Sequence, residues 1–201
     1  RFLVWQDGKV EITRYFRPKF EPDNSKSLQE WADEIHETIQ EIMPEVKEES
    51  EYAESFLSGG VDSSYVLAMS DVQMTDSCGY EEERFDESKL AAQTAKILGR
   101  GNNRCLVTPE EYFDIVPWVM EHMEQPLGDA SAIAFALGCK ATAQNTKLCY
   151  SGEGADEFFG GYNMYRNAER YGDNLKTFYV GNTNIMKEDE KKKLLKNYYE
   201  D

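Results

Sequence analysis

The stretch that sets the fold class is Ala53-Glu54-Ser55-Phe56-Leu57-Ser58-Gly59-Gly60-Val61-Asp62-Ser63-Ser64. Ala53 to Leu57 reads as a strand, and a helical run from Ser63 to about Ser70 follows the glycines. Such a junction leaves backbone N–H groups unpaired at a helix N-terminus, with the helix dipole behind them, and its small residues let a phosphate come close. It is not a Walker A loop, because no lysine stands at the equivalent place. Asp62 stands in the loop instead, and a carboxylate faces phosphate oxygens only with a cation between them. Mg2+ held by one or two carboxylates plus substrate phosphates meets that need. The hydroxyls of Ser58, Ser63 and Ser64 are expected to donate to the remaining oxygens. An ordinary strand-to-helix turn, with Asp62 or Ser63 capping the helix, accounts for the same residues.

Working outward, the pattern recurs. Lys147 to Tyr150 predicts a strand leading into Ser151-Gly152-Glu153-Gly154-Ala155-Asp156-Glu157, again small residues with acids that could hold Mg2+ or move a proton. Between the two loops lie a strand over Met74 to Cys78, an acidic loop, a helix from Ser88 to Leu98 and a strand over Arg104 to Val107. Thr108-Pro109-Glu110-Glu111 is a capping box with proline at the first helical position, and that helix is expected to kink or restart at Pro117. Ala130 to Ala143 is apolar on nearly every face and predicts a buried helix. Strand-helix alternation of this kind predicts an α/β fold, a parallel sheet covered by helices on both faces. The two glycine loops would then meet over its carboxyl edge, where ligands of open α/β folds bind.

Upstream, Phe2 to Trp5 and Val10 to Ile12 flank Asp7-Gly8, which predicts a hairpin over residues 1–16, followed by a linker to Ser27. Leu28, Trp31, Ile35, Ile39 and Ile42 predict a one-striped helix that ends before Pro44, and the acidic run from Glu45 to Glu54 reads as a solvated connection. A last, exposed helix is expected over Glu188 to Tyr199. The expected organisation is a hairpin and linker over 1–24 and one α/β domain over 25–201.

Composition narrows the function classes. The 201 residues carry 22 basic and 38 acidic side chains, a formal charge of −16 that repels a phosphodiester backbone, so no nucleic-acid partner is expected. No apolar run reaches the roughly 20 residues of a bilayer span, so no membrane association is expected. Cys78, Cys105, Cys139 and Cys149 are far apart in sequence, three in predicted strands and one in an apolar helix. They read as reduced core residues, which fits a cytoplasmic protein.

Taken together, the two loops carry a family resemblance. Ser58-Gly59-Gly60-Val61-Asp62-Ser63 resembles the pyrophosphate loop of the N-type ATP pyrophosphatases, and Ser151 to Glu157, continuing Phe158-Phe159-Gly160-Gly161-Tyr162, resembles the asparagine synthase signature. The likeness runs from Tyr15-Phe16-Arg17-Pro18 through Cys78-Gly79-Tyr80 and Pro126 to Ile133 as far as Gly161-Tyr162. It implies an adenine nucleotide alpha hydrolase-like fold and a glutamine-dependent synthesis of asparagine from aspartate, ATP and ammonia, through a β-aspartyl adenylate. By the same resemblance Ser58, Gly59, Gly60, Asp62 and Ser63 hold the phosphates, and Leu57 and Cys78 contact adenine through their main chains. Ser151 and Gly152 line the nucleotide pocket, Asp62 and Asp156 bind Mg2+, and Glu153 serves in proton transfer. It leaves a homodimer open. Asp129 could pair with the α-ammonium of aspartate or act as an N-cap.

Two family features are missing from this sequence. No glutaminase domain precedes Arg1, so the hairpin is expected to be its last piece, and no Pro-Phe-Leu-Asp-like stretch with a catalytic lysine follows the second loop. Three other readings stay open: another carboxylate-adenylating amidotransferase or ligase, such as a β-lactam-forming homologue; a tRNA-modifying pyrophosphatase, against which the charge speaks; and an inactive nucleotide-binding domain.

Overall fold

The computed structural model describes residues 1–17, 19, 21–47, 52–124, 128–129, 131–163, 165 and 188–196. The chain divides into two compact units, Arg1–Glu41 and Ile42–Asp201. In the first, β1 (Phe2–Gln6) and β2 (Lys9–Thr13) pair antiparallel, from Phe2 opposite Thr13 to Gln6 opposite Lys9. Asp7 and Gly8 both take positive φ, 50° and 75°, as a two-residue turn matched to the strand twist requires.

Helix α1 (Leu28–Lys47) starts on a capping box that the sequence reading missed: the Ser27 N–H donates to Glu30 Oε2 (2.7 Å) and the Glu30 N–H to Ser27 Oγ (3.3 Å). Two expectations for this helix are corrected. It runs through Pro44 instead of ending before it, because proline removes one hydrogen bond and few remain so near the C-terminus. Its half-buried stripe is Trp31, Ile35, Ile39 and Met43, at strict four-residue spacing, whereas Leu28 and Ile42 are exposed.

The second unit holds a four-stranded sheet in the order β5-β4-β3-β6, every pairing parallel. The strands are β3 (Ala53–Phe56), β4 (Met74–Tyr80), β5 (Gly101–Val107) and β6 (Leu148–Tyr150). Helix α2 (Val61–Met69) joins β3 to β4, and α3 (Ser88–Ile97) joins β4 to β5. Helices α4 (Pro109–His122) and α5 (Ser131–Thr142) carry the chain back to β6, on the far side of β3. Strand order therefore reverses between β3 and β6.

Side-chain alternation shows that both sheet faces are covered. On one face Leu57 and Tyr150 pack with Leu67 of α2, Ala91 and Ala95 of α3, and Val72. On the other, Thr142 of α5 donates to Asp76 (2.7 Å), and a Cβ on Gly138 would lie 3.0 Å from Cys78 Sγ and 3.4 Å from the Phe56 ring. Outside α5, Ile133 packs with Ile115 and Val119 of α4.

The Thr108–Glu111 capping box forms as predicted, with Pro109 at the helix start. The expected restart at Pro117 does not occur: α4 is continuous, because Ile115 and Val119 on either side are buried in one cluster. Helix α5 corrects another expectation, since it is not buried all round. One side packs on α4 through Ile133, Ala136 and Leu137, and a separate stripe, Ser131, Ala134, Phe135 and Gly138, lines a cavity. The acidic run ends differently too. Glu54 is 1% exposed within β3, not solvated. All four cysteines are free and half-buried. Past the second loop lie α6 (Ala155–Phe159) and α7 (Glu188–Leu194); α7 stops short of the expected Tyr199, since Leu195 and Lys196 are not helical, and residues 197–201 lie outside the described ones.

Candidate active site

The point of strand reversal places the loop after β3 beside the loop after β6, at the carboxyl edge of the sheet. Contact between them is intimate. A Cβ built on Gly152 would lie 2.7 Å from Ser63 N and 2.9 Å from the Asp62 carbonyl carbon, so only glycine lets the second loop rest on the first turn of α2. Gly59 takes φ +82° and abuts α3, where a Cβ would lie 2.7 Å from the Leu90 side chain and 2.9 Å from Ala91 N. The N-cap of α2 is Gly60, which offers no side chain to the helix start. The N–H groups of that first turn are thus the kind that bind an anion.

The loop serines are largely engaged inside the loop. Ser63 Oγ lies 3.0 Å from Ser58 Oγ and accepts from the Ser58 N–H (3.2 Å), and Ser58 Oγ accepts from the Gly60 N–H (3.1 Å). Ser64 Oγ donates to the Gly60 carbonyl (2.6 Å) and does not line the cavity, which corrects its expected place on the phosphates. In the second loop Ser151 Oγ accepts from the Glu153 N–H (3.1 Å), and Gly154 starts α6 at φ +92°. Gly161 packs on the Asp156 carboxylate so closely that any side chain there would displace it.

A cavity of about 810 Å³ opens over both loops. Its walls include Leu57, Ser58, Gly60, Asp62, Ser63, Cys78, Ser151, Gly152, Glu153 and Asp156, every site residue expected from sequence except Gly59 and Ser64. Gly59 shapes the turn from behind. The Leu57 N–H is already donated to the Asp76 carbonyl (2.9 Å). Asp129 also lines the cavity, and its Oδ1 accepts from the N–H (2.9 Å) and hydroxyl (2.7 Å) of Ser131, a capping arrangement. Sequence reasoning missed Phe135, Asp76 and Glu87. The first was hidden in a helix apolar all round, and the other two in segments read as strand and acidic loop.

The electrostatics are one-sided. Asp62, Asp76, Glu87, Asp129, Glu153 and Asp156 line the cavity, and no Lys, Arg or His does among the described residues. Also among these, no three or more His, Cys, Asp or Glu side chains converge as a self-sufficient metal centre. Hard carboxylate donors without enough partners suit a divalent ion whose other ligands are phosphate oxygens. Burial pushes the Cys78 thiol up to about 12, so it lines the cavity as a neutral, unreactive group. In the cavity wall, Asp76 accepts from Thr142 and from Asn103 (3.1 Å), and the buried Glu54, which does not line the cavity, accepts from the Tyr52 hydroxyl (2.8 Å). Burial first, and the Asp76 carboxyl second, raise Glu54 above its ordinary value.

Residues 45–201 match the family model described as asparagine synthase. The chain belongs to that family. Among relatives, this asparagine synthase-family chain is 31% identical to asparagine synthetase [glutamine-hydrolyzing] 1 of Bacillus subtilis, over 98% of this chain and 37% of that protein. It is 30% identical to a putative asparagine synthetase [glutamine-hydrolyzing] of Mycobacterium tuberculosis, over 77% of this chain and 25% of that protein. With asparagine synthetase B [glutamine-hydrolyzing] of Escherichia coli it shares 26% identity, over 83% of this chain and 33% of that protein. The chain thus spans about a quarter to somewhat over a third of these relatives' lengths. No helix among the described residues is long and apolar enough to cross a membrane.

Proposed function

We propose that this chain carries the ATP-binding synthetase site of an asparagine synthase, which converts aspartate, ATP and ammonia drawn from glutamine to asparagine, AMP and pyrophosphate. The observation that carries this reading is the contact of Gly152 with the Asp62–Ser63 peptide, which joins both glycine loops in one cavity at the strand reversal. Asp62 and Asp156 would hold Mg2+ together with the phosphates of ATP. When bound, the ion neutralises charge on the departing pyrophosphate.

The N–H groups that open α2 take up phosphate oxygens, and Ser58 and Ser63 hold the turn in shape. The aspartate β-carboxylate, already ionised, attacks the α-phosphorus, pyrophosphate leaves, and the adenylate forms. Ammonia then attacks the acyl carbon and AMP leaves. The nitrogen must shed protons as the amide forms, and Glu153, an exposed carboxylate lining the cavity between two glycines, takes up one of them.

The test uses ATP–pyrophosphate exchange and asparagine formation in the full-length protein. Asp62→Asn and Asp156→Asn are each expected to lower exchange by two orders of magnitude or more. Glu153→Gln should keep exchange while asparagine output falls about 10²–10⁴-fold. Near-normal exchange in Asp156→Asn would make that carboxylate structural, and equal losses of both activities in Glu153→Gln would remove it from proton transfer.

A further inference from the structure

The cavity has a second wall that the phosphate chemistry does not use. Along α5, Ser131, Ala134, Phe135 and Gly138 form the stripe that faces it, and Phe135 is the one bulky side chain of the four. Phe135 is 44% exposed where it lines the cavity, on a helix whose Ile133, Ala136 and Leu137 pack against α4. Its ring is held from behind. Phe56 lies 5.2 Å away between centroids, tilted by 55°, and Gly138 keeps the space between Phe56 and the helix clear.

The position of Phe56 matters as much as its contact. It ends β3 and stands two residues before Ser58, so the aromatic pair is about 7 Å of extended chain from the start of the phosphate loop. A ligand with its phosphates on α2 therefore has its apolar end within reach of the Phe135 face. The opposite arrangement, an apolar group over the glycine loops, would meet carboxylates.

From this the geometry points to Phe135, backed by Phe56, as the platform on which the base of the bound nucleotide stacks. The inference rests on the reading of the two loops as a nucleotide site. Stacking of this kind supplies affinity without choosing among bases, since every base has a π-face.

Two ligands separate the platform from the phosphate site: ATP, and inorganic tripolyphosphate, which lacks a base. Titration calorimetry of the protein with each, in the presence of Mg2+, is expected to show that Phe135→Ala weakens ATP roughly 5- to 100-fold and leaves tripolyphosphate unchanged. Phe135→Tyr should bind ATP as the unaltered protein does, and Phe135→Leu, which keeps apolar bulk without the flat face, should behave like the alanine variant. Parallel losses for both ligands, or undiminished ATP binding in the alanine and leucine variants, would overturn the platform while the phosphate reading stood. An unaltered protein that bound neither ligand would remove both.

Discussion

Glu54 shows how much can turn on one side chain. In sequence it ends an acidic run, yet in β3 it is 1% exposed, with Tyr52, Asp76 and Asn145 as its polar neighbours. Its Oε2 has no hydrogen-bond partner among the described residues, so ionisation would leave a charge poorly compensated. The folded state holds the proton more tightly than the unfolded chain, so the stability Glu54 confers is present in full below its ordinary value of 4.5. It is lost as pH rises through the higher folded-state value. Glu54→Gln keeps the shape and removes the titration. Relative to that variant, the unaltered protein should lose up to about 1.4 kcal/mol of stability per pH unit across that window, as measured by urea unfolding at a series of pH values. Parallel pH profiles for the two proteins would mean that Glu54 carries no change of charge on unfolding across that window.

Among elements, the decisive contact is between the loop after β6 and the first turn of α2. Gly152 and Gly154 are two residues apart and look alike in sequence, but they do different things. At Gly152 an added Cβ meets backbone atoms at 2.7 and 2.9 Å, which cannot move aside as a flexible side chain can. Gly152→Ala should therefore force the loops apart, cost about 1–3 kcal/mol of stability and weaken ATP binding at least tenfold. At Gly154 the nearest atom to a new Cβ is 3.9 Å away, and the cost is that of a positive φ, roughly 1–2 kcal/mol. Gly154→Ala should accordingly melt earlier yet bind nearly as well. Thermal denaturation beside calorimetric titration of both variants checks this, and equal binding losses would show that the contact at Gly152 has no special part.

For the whole molecule, charge is the governing fact. On the proposed reading, a protein of net charge −16, with six carboxyl side chains and no basic one lining its cavity among the described residues, would bind a polyphosphate against its own field. A divalent cation is the simplest remedy, so the stabilisation by ATP should depend on Mg2+. At ATP a hundredfold above its dissociation constant, binding adds about 2.7 kcal/mol, which for a chain of this size raises the melting temperature by roughly 5–10 °C. Chelation of Mg2+ should abolish most of that rise in a thermal melt. An undiminished rise in chelator would place the burden on the backbone N–H groups alone.

The sequence by itself determined what local chemistry can encode. The Asp7-Gly8 turn, the Thr108 capping box, the parallel α/β class and both glycine loops were legible because each is written in adjacent residues or in a short period. Membership of the asparagine synthase family was legible in the second loop for the same reason. Tertiary structure decided what depends on partners distant in the chain. Pro117 interrupts nothing because Ile115 and Val119 share a buried cluster, and Glu54 is buried because its strand is interior. Phe135 faces a cavity, and not the core, because α5 has α4 on one side and the face of the sheet on another. A helix that is apolar all round gives no period from which to tell those sides apart, so only the packing could assign them.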